Sequence, residues 1–258
     1  NMSVDQAGFD EAMEAQRARG RAATSFSTSL GQKISVKEKV AFCGYEQLVN
    51  QATVLAVFDA EGEPVEQLSD DSPAGVIVLD QTAFYAESGG QKGDVGYINS
   101  NNAKIKVLDC KKINVSDKIM FLHKVKVIKG CVNTDDILNL EVDIENRKEI
   151  SSHHTSTHLL HEALREEFGT NVKQKGSLVS NQKLRFDFNL NQPIQSNILK
   201  KIEDVVNQKI YQNDKVNTEI MDQKSATEKG AVALFGENIF ALFFCKISLC
   251  KISNPLSK

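Results

Sequence analysis

The sequence predicts an α+β fold with three parts: an N-terminal helix, a small antiparallel β-barrel, and an α+β domain built around an H-x-x-x-H helix. Two observations carry this reading. Between about residues 45 and 145 the apolar residues recur with a period of two, and after Arg147 they switch to helical spacing. A third, the run of Ala, Glu, Arg and Gln from residue 5 to about 23, supplies the first helix. The corresponding segments are 1–40, helical linker; 41–146, barrel; and 147–258, α+β domain.

In the first segment Phe9 and Met13 share one face while the rest is polar, so the helix needs a partner to bury a narrow stripe. A Ser/Thr-rich linker follows at 24–29. In the second segment Thr53–Phe58 reads as a buried strand, followed by turn chemistry at Glu61-Gly-Glu-Pro64. Val76–Leu79 is a further apolar run, and Lys104–Val107 and Lys124–Val127 alternate basic with apolar. Leu138, Leu140, Val142 and Ile144 alternate with polar residues, completing a set of short strands suited to a small barrel. In the third segment the spacing predicts a helix over 150–168, ended by Gly169, then a loop and a strand over Leu184–Phe188. A second helix is predicted from Pro193, with Ile194, Ile198, Ile202, Val205, Val206 and Ile210 on one face. Lys215–Met221 reads as a strand and Ser225–Glu228 as a capping box.

Composition sets bounds on function. With 31 basic and 34 acidic residues the formal charge is −3, which gives no global attraction to nucleic acid and confines that question to local patches. One such patch spans 104–129, with eight lysines against two aspartates, a run that suits either phosphate contacts or a solvated strand face. Five cysteines lie scattered with no C-x-x-C pair, which points to a reducing compartment and a cytoplasmic protein. The apolar stretch Ile239–Phe244 is far too short to cross a bilayer. No membrane partner is expected.

Chemistry concentrates at 153–161, where His153, His154, His158 and His161 fall within nine residues. His154 and His158 stand one helical turn apart, a spacing at which two imidazoles bind one zinc ion, or simply remain solvated or hydrogen-bonded. No Glu lies between them, so the H-E-x-x-H protease arrangement is excluded. His161, two turns from His154, reads as a supporting or packing residue.

Several longer motifs, in order, carry a family resemblance. His154-Thr-Ser-Thr-His-Leu-Leu-His-Glu-Ala-Leu-Arg165, Val172-Lys-Gln-Lys-Gly-Ser-Leu-Val179 and Leu184-Arg-Phe-Asp-Phe188 resemble the editing domain of alanyl-tRNA synthetases. Phe84-Tyr-Ala-Glu-Ser-Gly-Gly-Gln91 with Gly93-Asp94 resembles the glycine motif of that family's barrel. Gly8-Phe-Asp-Glu-Ala-Met13 and Gly230-Ala-Val-Ala-Leu-Phe-Gly-Glu237 extend the match to residues 5–237.

The resemblance implies an enzyme family that charges tRNA(Ala) with alanine using ATP and hydrolyses mischarged Ser-tRNA(Ala) and Gly-tRNA(Ala). One pocket discriminates poorly among side chains that differ by so little, about 1–3 kcal/mol per methylene, so a second hydrolytic site is needed. It implies Zn2+ on His154 and His158, completed by a Cys and a His from a later motif. Thr157 is then expected to sense the serine side chain, and Gln174 to orient the ester or a water. Gly89, Gly90, Lys173, Lys175 and Arg185 are expected to meet the tRNA acceptor end.

After Glu237 the family pattern stops, and no histidine follows His161. Cys245 and Cys250, at C-x4-C spacing in an apolar setting, suit packing better than zinc. The expectation is therefore a fragment lacking both the ATP-using aminoacylation domain and the second half of the zinc site, with weak or absent zinc and little hydrolysis. The alternatives are a free-standing trans-editing deacylase and a metal-free tRNA-binding module.

Overall fold

The structure is a computed structural model that describes residues 5–17, 40–72, 74–115, 118–214, 222 and 225. The linker at 24–29, the strand expected at 215–221, most of the capping box, the motif at 230–237 and both C-terminal cysteines lie outside the described residues. Helix α1 occupies residues 6–17. The chain divides into two compact units: one comprising 1–87 with 93–143, the other 88–92 with 144–258.

The first unit contains the barrel. Its strands in chain order are β1 (Ala41–Phe42), β2 (Val49–Phe58), β3 (Gln67–Ser69), β4 (Gly75–Leu79), β5 (Gln81–Thr82), β6 (Gly96–Asn99), β7 (Lys104–Val115), β8 (Lys118–Lys129), β9 (Cys131–Asn133) and β10 (Ile137–Val142). Six of them close in the order β10-β2-β4-β8-β7-β6, and every pair is antiparallel. Closure leaves no strand edge in that sheet open to other chains. The alternation read in the sequence is the inside/outside alternation of the wall. Val54, Ile77, Ile98, Ile105, Val107, Val125, Leu138 and Leu140 are fully buried in one core, while Lys104, Lys106, Lys124 and Lys126 stand outside.

That core holds one buried imidazole. His123 on β8 donates Nδ1–H to the Ile77 carbonyl (3.2 Å), and its Nε2 meets the Thr82 hydroxyl (2.8 Å). Thr82 Oγ1 in turn accepts the Phe84 N–H (3.0 Å), and the Phe84 ring sits edge-on to the imidazole. Every polar atom is satisfied when the ring is neutral. Burial accordingly pushes the His123 pKa down to about 4.

The second unit packs two helices on a hairpin. Helix α2 (Ile144–Phe168) precedes β11 (Gln174–Val179), β12 (Leu184–Phe188) and α3 (Ser196–Gln212). Three expectations are corrected here. Helix α2 begins at Ile144, six residues before the predicted start, because β10 ends at Val142 and Ile144 is the first helical residue rather than the last strand residue. Residues 174–179, expected as loop, form a strand paired antiparallel with β12. Pro193 precedes the second helix rather than opening it; α3 starts at Ser196. The helix ends are as the residue types dictate. Gly169 takes φ 88° and its N–H caps Arg165 O at 2.8 Å, and Asn213 closes α3 in the left-handed region at φ 50°. Ala163, Leu164, Val172, Phe186 and Ile202 form the core, against which Ile194, Ile198, Val205 and Val206 pack.

Candidate functional site

The site is built on α2, whose N-terminal half is polar: Ser151-Ser-His-His-Thr-Ser-Thr-His158. Three successive hydroxyls, Thr155, Ser156 and Thr157, donate back to the carbonyls of Ser151, Ser152 and His153 at 2.9, 2.9 and 2.8 Å. This removes their protons from circulation without breaking the helix. Thr157 is buried, and its oxygen keeps lone pairs with which to accept a hydrogen bond.

The histidines differ in what holds them. His153 Nδ1–H donates to the Ser180 carbonyl at 2.6 Å, and His161 Nε2–H to the Val172 carbonyl at 3.3 Å, with its ring against Phe186. These two bonds pin opposite ends of the β11 segment to α2. His161 is thus a buried packing residue, and burial lowers its pKa.

His154 and His158 stack ring on ring, centroids 5.0 Å apart and 17° from parallel. His154 is half-buried, which lowers its pKa and favours the neutral ring, while His158 is exposed.

The tautomer of His154 is set by a residue 63 positions away in the chain. Its Nδ1 meets Gln91 Oε1 at 2.5 Å. An amide oxygen only accepts, so the proton is on Nδ1 and Nε2 carries a lone pair. Gln91 is buried and is delivered by a tight turn. Ser88 and Gln91 exchange both main-chain hydrogen bonds, and Gly89 and Gly90 between them take φ 59° and 85°. Positive φ at both central residues is the type I′ requirement, for which glycine is the least strained choice. A Cβ at Gly90 would also lie 2.5 Å from the Ser177 carbonyl oxygen. The turn then docks on the end of β11 through Val179 N–H to Gly90 O (2.8 Å) and Lys92 N–H to Val179 O (2.9 Å).

Gln91 is the site residue that sequence reasoning missed. The available signal was an amide placed directly after two glycines, a pattern that by itself points only to a turn and to close approach of RNA.

Of the other expected residues, Gln174 opens β11, half-buried and paired in register with Phe188. The β11 hairpin packs on α2, so Gln174, Thr157 and the histidine pair belong to one assembly of helix and hairpin. Lys173, Lys175 and Arg185 are exposed on the same hairpin. Lys173 N–H is held by Asn189 Oδ1 at 2.7 Å, and Arg185 Nε pairs with Asp187 at 3.1 Å. Among the described residues no group of three or more His, Cys, Asp or Glu side chains gathers for a metal. Likewise, no helix among them is long and apolar enough to cross a membrane.

Comparison with known proteins supplies the lineage. The family model of the class II tRNA synthetases (A) matches residues 1–146. The chain belongs to that family. It is an enzyme family, and alanine–tRNA ligases are among the relatives of this chain. The ligase of Pseudomonas fluorescens is 44% identical over 237 residues, covering 92% of the chain and 26% of that ligase. Those of Pseudomonas entomophila and Hydrogenovibrio crunogenus are 41% and 42% identical over 236 and 237 residues, with 92% of the chain covered in each case. The chain spans about a quarter of the length of these relatives, 26–27%. Both the barrel and the histidine helix fall inside the matched length.

Proposed function

We propose that this chain is the barrel and editing region of an alanine–tRNA ligase, and that the α2–β11 assembly hydrolyses serine and glycine wrongly esterified to tRNA(Ala). The observation that carries the reading is the stacked His154–His158 pair with the tautomer of His154 fixed by Gln91. Metal-ligating histidines commit their other ring N–H to an oxygen in this way; His153 and His123 share that bond, but only His154 combines it with a second imidazole stacked 5.0 Å away.

His154 and His158 would hold Zn2+, which when bound polarises the ester or lowers the pKa of a water. The remaining steps belong to the chain's own groups. Thr157, its proton committed to the helix, accepts a hydrogen bond from the hydroxyl of a bound serine. Alanine lacks that hydroxyl, so the correct ester gains nothing at this position. Gln174 offers an amide with both donor and acceptor to orient the ester carbonyl or the attacking water. Hydrolysis breaks the acyl C–O bond and releases serine and free tRNA. Lys173, Lys175 and Arg185 supply positive charge along the hairpin for the acceptor-end phosphates.

The test is deacylation of Ser-tRNA(Ala) by the whole chain, with and without added Zn2+. Two imidazoles alone bind zinc weakly, so the expected result is slow hydrolysis that rises with zinc and disappears in H154A/H158A. Thr157→Val, which keeps shape and removes the acceptor, should slow Ser-tRNA(Ala) about three- to tenfold while leaving Gly-tRNA(Ala) near the parent rate, one hydrogen bond being worth roughly 0.5–1.5 kcal/mol. Hydrolysis absent at every zinc concentration, or equal in H154A/H158A, would overturn the reading in favour of a metal-free RNA-binding module.

A further inference from the structure

The barrel carries a feature that the editing chemistry does not use. On β7 the inward residues Ile105 and Val107 are fully buried, and the outward ones include Lys104 and Lys106. On β8, Val125 and Val127 point in, while Lys124 and Lys126 point out. Their register sets like charges face to face: Lys106 is directly opposite Lys126, and Lys104 opposite Lys129. Directly opposed like charges destabilise a sheet, so a wall selected only for stability would alternate signs here.

None of Lys104, Lys106, Lys124, Lys126 and Lys129 forms an ion pair among the described residues. The acid in register, Asp109 opposite Lys124, turns Oδ1 to the Cys110 N–H instead. On the neighbouring strand β6, Tyr97 lies opposite Lys106, is 38% exposed, and carries the Lys104 ammonium over its ring at 5.3 Å. Glu141 flanks Tyr97 on the far side and marks the edge of the basic surface. All this occurs in a chain whose net charge is −3. The surface is thus a local concentration and not a reflection of a basic protein.

We infer that the outer face of β6, β7 and β8 is a docking surface for the phosphate backbone of RNA. Two rows of ammonium groups, about 6.6–6.8 Å apart along each strand, form a track of point charges without the forked geometry that reads bases. The occupant is a regularly charged polyanion, recognised by charge and not by sequence. The exposed ring of Tyr97 at the edge offers a stacking face for an unpaired base or ribose. An anionic lipid surface would meet the same charge, but the apolar side chains exposed beside these lysines, Leu108 and Ile128, stand at opposite ends of the rows and form no single apolar face to enter a bilayer. The inference rests on the reading that the chain handles an acylated RNA, and it extends that reading to the barrel.

The experiment measures binding of the whole chain to an alanine tRNA transcript by fluorescence anisotropy between 50 and 200 mM salt. K106Q/K126Q should weaken binding about tenfold. It should also lower the slope of log K against log salt by roughly one to two, at about 0.7–0.9 for each phosphate no longer neutralised. Its melting temperature should stay level or rise, since a repulsion is removed. The control K148Q/K209Q, two exposed lysines of the other unit, should leave both slope and affinity near the parent's.

Unchanged binding in K106Q/K126Q, an equal loss in the control, or tighter binding to phosphatidylserine vesicles than to the transcript would each overturn the inference. Deacylation measured at saturating tRNA separates the two readings. Lysine-dependent binding without hydrolysis removes the editing site and leaves this surface standing, and hydrolysis with lysine-independent binding does the reverse.

Discussion

Protonating His123 should unlock the barrel. In the neutral state Nδ1–H donates to Ile77 O, Nε2 accepts from the Thr82 hydroxyl, and Thr82 Oγ1 accepts the Phe84 N–H. A second ring proton on Nε2 would turn that acceptor into a donor. Thr82 would then have to accept twice and aim its own proton at nothing, beside a cation sealed from water. The sign follows from linkage. Between the ordinary histidine pKa of 6.5 and the folded value of about 4, the unfolded chain binds the proton that the folded chain refuses. The stabilisation is therefore complete above pH 6.5, falls as the pH drops, and is fully lost below about 4.

The displacement from 6.5 to about 4 corresponds to roughly 3 kcal/mol, at about 1.4 kcal/mol per unit. That is a substantial part of the roughly 5–15 kcal/mol that holds a domain folded. Glutamine at this position retains one donor and one acceptor and cannot titrate. The assay is urea unfolding followed by far-UV circular dichroism at pH 7.5, 6.5, 5.5 and 4.5, for the parent and His123→Gln. The parent should lose progressively more stability than the variant on acidification, approaching 3 kcal/mol near the lower end. Parallel pH profiles for the two proteins would refute the reasoning, whatever their absolute stabilities.

Two further outcomes follow from the second unit. Gln91→Leu removes the acceptor on His154 Nδ1, so nitrogen NMR should show the ring moving to a mixture of tautomers, and zinc affinity should fall about 10–100-fold; Gln91→Glu, which restores an acceptor, should recover the Nδ1–H form. Gly90→Ala places a Cβ 2.5 Å from Ser177 O at φ 85°, a strain of about 1–3 kcal/mol. Amide exchange should show Val179 N–H losing protection in that variant, whereas Gly169→Ala, strained in the same way at φ 88° but with nothing near its Cβ position, should loosen the end of α2 and leave the protection of Val179 near the parent's.

The barrel was legible because its chemistry is periodic. Lys104–Val107 and Lys124–Val127 announce a wall with a wet side and a dry side, and only the pairing partners needed the structure. Helix α2 was legible at its C-terminus, where Gly169 takes the left-handed conformation that residue type favours, but not at its start. Ile144 continues the strand's alternation, and Asn146–Glu149 carry no apolar signal to mark a helix. Strand β11 was hidden because Gln174-Lys-Gly-Ser177 is polar with a central glycine, and only pairing with β12 makes it a strand. The imidazole pair was readable from an interval of four residues. Its partner Gln91 was not, since nothing local to a Ser-Gly-Gly-Gln turn says which distant ring it will meet.

The turn at 88–92 has a consequence for inheritance. Those five residues belong to the compact unit of α2 although the chain on either side of them belongs to the barrel. The histidine unit is therefore not encoded in one continuous stretch. A recombination event or a cloning boundary placed at Ile144 would carry away the helix, the hairpin and both stacked imidazoles, yet leave behind the amide that sets a ring proton and the backbone that covers Val179. The two units share a history because neither can be copied out whole without cutting into the other's text.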